Sequence, residues 1–193
     1  MEEKQGLPIL SFATEEAWEQ WLEANHANSK GIWMKFAKKG SLEESISRAA
    51  ALDAALCYGW IDGQASTFDE AFWLQRFTPR RKGSRWSKIN RDRAEELIAE
   101  GRMKPAGLRA IEEAKSNGRW EAAYEGQSSM AVPDDFRQAL EGNETARQFF
   151  ESLDSRNRYA ILYRIHDAKK PETRARRIEK FVSMLSEGKK VYP

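Results

Sequence analysis

The chain has 193 residues, with 32 Lys and Arg against 30 Asp and Glu, and 11% of its residues are aromatic. Seven Trp, nine Phe and five Tyr argue against disorder despite the 32% charged content, and the length suits one core, or a core with a satellite, and not a repeat array. A net charge of +2 leaves any attraction to polyanions to local clustering, and the lone Cys57 excludes an intrachain disulfide or a multi-cysteine zinc site.

The opening residues, MEEKQGLPILSFATEEAW, contain no apolar run of signal-peptide length, and nothing downstream approaches the roughly 18 apolar residues of a membrane span. A cytoplasmic protein is expected. Thr14 followed by Glu15 and Glu16 predicts a helix start, with Trp18, Trp21 and Leu22 on one buried stripe. The run from Gly31 to Lys39 alternates well enough for a strand, bounded by Gly31 and Gly40. Ser45 to Tyr58 is alanine-rich at helical spacing, and Gly59 stands where a helix C-terminal glycine belongs. Residues 60–64 and 71–77 read as two further strands joined by a turn, and Ser87 to Glu100 and Pro105 to Ser116 as helices.

Residues 119–133 carry Gly, Ser and Pro with little periodicity and are the candidate linker between a domain of residues 1–118 and a helical module of residues 134–193. In that module helices are predicted at Asp134 to Leu140, Asn143 to Leu153, Ser155 to Ala168 and Pro171 to Ser186. The fold class is therefore α+β: a small, mainly antiparallel sheet with helices, then a helix-rich C-terminal half. A mixed sheet is the alternative, because the helix at 45–58 can cross between parallel strands.

The stretch from Arg76 to Arg91 is the most unusual chemically, with seven basic residues, no acid, and Phe77 and Trp86 interleaved. Such a loop can hold an anion through guanidinium groups, the amides of the following helix start, and hydroxyls. Its candidate ligand-binding residues are Arg76, Arg80, Arg81, Arg85, Trp86, Ser87 and Asn90. Asp62, after the predicted helix at 45–58, joins them as a weak catalytic candidate or as an ion-pair partner. The competing reading makes Phe77 and Trp86 core anchors, with the arginines paired to acids of the following helix.

Cys57 sits among apolar residues, as a buried and unreactive thiol does. His166 shares a helical stripe with Tyr159, Leu162 and Tyr163 and is expected to be half-buried, and His26 lies at the end of the first helix. Two histidines and one cysteine give no metal-ligand spacing, and neither GxxxxGK[ST] nor GxGxxG occurs, so no metal or cofactor is expected.

The strings ALCYGWIDG (55–63), RFTPRRKGSRWSKINR (76–91), EGRMKPAGLRAIEEAKSNGRW (100–120), VPDDFRQAL (132–140) and AKKPETRARRIEKFVSMLSEGK (168–189) resemble the bacterial YdeI/OmpD-associated, or bacteriocin-protection, family over nearly the whole chain. The resemblance implies a YdhG-like N-terminal part, a helical C-terminal module, a role in resistance to antimicrobial peptides or bacteriocins, and association with an outer-membrane porin. It implies no reaction and no catalytic residues. The absence of an export signal argues against direct contact with a porin. Three functions stay open: a noncatalytic module for an anionic small ligand or peptide, a nucleic-acid-binding protein using the loop with Arg174, Arg176, Arg177 and Lys180, and an enzyme using Asp62 with the loop as clamp.

Overall fold

The computed structural model describes residues 2–126 and 130–193. It divides into two compact units, Met1–Tyr124 and Glu125–Pro193.

The first unit is built on a five-stranded sheet of order β1-β2-β3-β5-β4, with β1 (Glu3–Lys4), β2 (Leu7–Ser11), β3 (Ile32–Ala37), β4 (Trp60–Thr67) and β5 (Phe72–Pro79). Three of its four junctions are antiparallel, and β2 pairs with β3 in parallel. The mainly antiparallel sheet is as expected, and the parallel junction comes from an unexpected place. Residues 3–11 were not predicted as strands, yet they form a hairpin closed by Gln5 and Gly6, both at positive φ (54° and 71°). Two consecutive left-handed residues make the tight turn whose twist matches paired strands, and Gln-Gly is a weaker signal for it than Asn-Gly. Helix α1 (Glu15–Asn25) then carries the chain from β2 to its parallel neighbour β3.

Helix α2 (Arg48–Cys57) also makes a crossover. It links β3 to β4, which run in the same direction because each pairs antiparallel with β5 inserted between them. Sheet alternation sends Ile32, Met34, Phe36 and Phe77 to the helical face, where they meet Trp18, Leu22, Leu56 and Trp60. Trp18 and Trp21 stack at 5.3 Å, and Trp60 meets both edge-on. The opposite face carries Leu7, Trp33 and Leu74, also buried.

Helices α3 (Lys88–Ala99) and α4 (Pro105–Ser116) follow the sheet. Beyond α4, Trp120 and Ala123 enter the first unit's core, although residues 119–133 lack helical or strand periodicity. The Tyr124 amide donates to the Trp86 carbonyl at 3.0 Å, and the Lys88 amide donates to the Tyr124 carbonyl at 2.9 Å. Residues 127–129 of that stretch lie outside the described residues.

The second unit is helical: α5 (Asp134–Glu141), α6 (Glu144–Ser152), α7 (Ser155–His166) and α8 (Pro171–Ser186). Asn143 and Asp154 cap α6 and α7 by accepting from the amides of Ala146 and Asn157. Phe136, Phe150, Ile161, Ile165, Phe181 and Leu185 form a core separate from that of the first unit. Among the described residues no helix is long and apolar enough to cross a membrane.

Candidate functional site

The basic loop begins where β5 ends. The Arg80 amide donates to the Gly59 carbonyl at 2.9 Å, which sets its side chain beside the C-terminal end of α2. The next residues fold into a turn held by the Ser84 amide on the Arg81 carbonyl (2.7 Å) and by the Arg81 amide on the Ser84 hydroxyl (2.8 Å). Trp86 then drops into the core, 3% exposed, with its ring edge-on to Trp120 at 4.8 Å. This packing agrees with the competing reading, in which Trp86 is a core anchor.

Arg80 lies flat on Trp86, with its Cζ 3.5 Å from the ring centroid. Its Nη1 donates to the Arg85 carbonyl at 3.1 Å. Its Nε and Nη2 are shut off from solvent and have no hydrogen-bond partner. Burial lowers this guanidinium to about 10, well below the ordinary arginine range. A small hollow of about 20 Å³ adjoins it, lined also by Arg81, Lys82, Ser84, Glu113 and Arg119. Arg119 closes it by donating from Nη1 to the Lys82 carbonyl at 3.0 Å. Glu113 makes no ion pair among the described residues, so four cationic side chains face one carboxylate around a space about the size of one water.

The structure gathers Arg80, Arg81 and Trp86 of the predicted set and places the others elsewhere. Arg76 stands opposite Trp33 in the β3–β5 ladder, on the sheet face away from the helices. Asp62 stands opposite Phe77 on the helical face, where Arg48 donates to it at 2.6 Å. Arg85 is exposed and contributes its carbonyl to Arg80. Ser87 caps α3 by accepting from the Asn90 amide at 3.2 Å, and Asn90 sits in the first turn of that helix. Of the amides at this helix start, that of Lys88 is met by the Tyr124 carbonyl and that of Asn90 by the Ser87 hydroxyl.

Lys82 and Arg119 were not singled out from sequence. Arg119 is 37 residues from Lys82 and reaches the loop because α3 and α4 both pack on α2. No local pattern announces it.

The residues considered for other chemistry are occupied. Cys57 is 1% exposed, and burial pushes its thiol up to about 11. His26 Nδ1 lies 2.9 Å from the Leu22 carbonyl. His166, expected to be half-buried, is exposed, with Nε2 3.1 Å from the Ala131 carbonyl, because the core-facing stripe of α7 runs through Ile161 and Ile165 and not along Tyr159 and Tyr163. Among the described residues no cluster of His, Cys, Asp or Glu has metal-binding geometry. On α8, Arg174 donates to Asp135 at 2.5 and 2.8 Å, and Arg177 lies 3.6 Å from Asp167, so two of the four α8 cations of the envisaged nucleic-acid face are matched by acids, while Arg176 and Lys180 are exposed.

Two family models match the chain. One, described as a domain of unknown function (DUF8412), covers residues 10–110, more than half of the 193 residues. The other, described as bacteriocin-protection, YdeI or OmpD-associated, covers residues 129–188. No curated protein and no solved structure matches. For the N-terminal part, expected to be YdhG-like, the match offers only a domain of unknown function. The chain thus belongs to the DUF8412 family over the sheet and its helices, and its helical C-terminal unit is similar to the bacteriocin-protection, YdeI or OmpD-associated family over residues 129–188.

Proposed function

We propose that the chain is a noncatalytic binding module whose first unit holds an oxyanion at the Arg80 hollow. The supporting observation is Arg80 itself. A buried guanidinium with two unmet donor nitrogens costs free energy that water-exposed arginines do not incur, and unmet buried donors are uncommon in folded proteins. An oxyanion meets those donors and restores the charge balance among Arg80, Arg81, Lys82 and Arg119. A space of about 20 Å³ takes one oxygen atom and not a whole metabolite, so the carboxylate or phosphate belongs to a ligand or peptide whose bulk stays outside. Asp62, held by Arg48 and absent from this lining, gives the enzyme reading no support.

The role follows from what the family is described as doing. In this reading, protection against bacteriocins or antimicrobial peptides acts through a captured carboxylate or phosphate on a partner, within the cytoplasm. Thermal unfolding in phosphate, acetate and chloride at matched ionic strength tests the site. Phosphate or acetate is expected to raise the melting temperature of the native protein, and Arg80→Met, which keeps an apolar stem on Trp86, is expected to lose that response. Equal melting temperatures in all three salts would defeat the reading.

A further inference from the structure

A second constellation lies in the helical unit, and neither the basic loop nor the family descriptions involve it. Arg156, Tyr159, Ala160, Tyr163 and Arg164 fall at i, i+3, i+4, i+7 and i+8 along α7, which places them on one face of the helix. Tyr192 comes back over that face from the end of the chain, and together these six residues line a cavity of about 450 Å³, within the usual range for small-molecule sites.

The cavity is held in shape by a buried polar clamp. Asn157, 1% exposed, accepts from the Tyr192 amide at 2.8 Å and donates to the Tyr192 carbonyl at 3.3 Å. A buried side-chain amide satisfied on both sides fixes the backbone of Tyr192, and with it the ring. The guanidinium of Arg156 lies 4.4 Å from the Tyr192 ring centroid and that of Arg164 lies 5.8 Å from it. Arg164 also donates to the Ala160 carbonyl at 2.7 Å and to the Tyr192 hydroxyl at 3.4 Å, and this cationic neighbour holds the Tyr192 phenol below its ordinary range. Neither arginine makes an ion pair with a carboxylate of the described residues, as Arg137, Arg147, Arg174 and Arg177 of the same unit do and Arg158 and Arg176 do not. Asp154, the nearest acid in sequence, is engaged as the cap of α7.

Aromatic rings stack on flat π systems, and guanidinium groups free of carboxylates seek oxyanions or the acceptor edge of a base. Tyr159 and Tyr163, 5.6 Å apart, lie between the two arginines on the helix, and Ala160 leaves the floor between them low. The two guanidiniums flank the Tyr192 ring, 4.4 and 5.8 Å from its centroid, so one can take a phosphate while the other meets the acceptor edge of an attached base. We propose that this cavity binds a planar heteroaromatic ring carrying a phosphate, as a nucleotide does, with the ring against the phenols and one arginine at each end.

Isothermal titration of the full-length protein with GMP, guanosine and inorganic phosphate tests this. GMP is expected to bind at least about tenfold more tightly than guanosine or phosphate alone, since a charge-assisted contact is worth a factor of that order. Arg156 is exposed, and Arg156→Met is expected to weaken GMP by about tenfold while Arg147→Met, an equal loss of charge elsewhere in the unit, leaves it unchanged. Saturation-transfer NMR on GMP is expected to show its base protons in contact with the protein and to lose that signal in Tyr192→Leu. A short single strand ending in 5′-phosphoguanosine separates the sources: tighter binding than GMP, falling steeply with salt, assigns the nucleotide to a strand end, and equal affinity assigns it to a free nucleotide. Guanosine binding as tightly as GMP, indifference to Arg156→Met, or no GMP binding at millimolar concentration would overturn the proposal.

Discussion

Trp86 shows how one side chain can serve packing and recognition together. Its ring is a core element against Trp120 and a platform for Arg80, so the loop that presents the guanidinium cannot leave without opening the core. Trp86→Ala is expected to cost about 3–5 kcal/mol, read as a lowered denaturation midpoint. Arg80→Met should cost far less, because the stem and its contact with Trp86 remain. Cys57 illustrates the opposite case. With its thiol pushed up to about 11 by burial, it should resist alkylation in the native protein near neutral pH and react promptly once denaturant is added. Rapid labelling of the folded protein would contradict the packing described.

Helices α2 and α4 approach closely because Gly107 has no side chain. A Cβ there would lie 2.4 Å from the Cys57 carbonyl oxygen and 2.8 Å from that of Leu56, both rigid backbone atoms. Gly107→Ala is therefore expected to destabilise by about 1–3 kcal/mol, although alanine is the better helix former, and a denaturant titration distinguishes the two signs. In the second unit, α5 and α8 are joined by the Asp135–Arg174 pair, and Arg174 holds the Asp135 carboxyl below its ordinary range. A lowered carboxylate value means stability present above the unfolded value and lost as pH falls through the folded one. Asp135→Asn should accordingly lower the melting temperature at neutral pH, and the difference from the native protein should vanish in acid. Both groups are partly solvated, so the effect at neutral pH should be modest.

At this scale the helices were the legible elements. Thr14, Ser47, Ser87, Asn143 and Asp154 each cap a helix with a side-chain oxygen, which is a local signal and survives folding unchanged. The β1–β2 hairpin was not legible, because its turn residues are Gln5 and Gly6 and Pro8 sits inside the second strand. Its place in the sheet depends on β3, more than twenty residues away, accepting it as a parallel neighbour.

The molecule consists of two compact units, each with its own core: one of sheet and helices, the other of four helices. Residues 1–124 and 125–193 produced separately are expected to unfold cooperatively, as followed by circular dichroism, the shorter with the lower stability because small domains bury a smaller fraction of their surface. A non-cooperative transition in either piece would show that its core is incomplete alone.

Sequence by itself determined the α+β class, the helices and the Thr14 cap, because periodicity and capping act over a few residues. It also marked the loop around Pro79 as cationic and Cys57 as inert. Tertiary structure alone decided which cations share a space: sheet alternation sends Arg76 and Asp62 to opposite faces, the packing of α3 and α4 on α2 brings Arg119 to Lys82, and Asn157 draws Tyr192 onto α7. Charge is written along the chain, but its convergence depends on contacts between residues up to 37 positions apart, which no local pattern encodes.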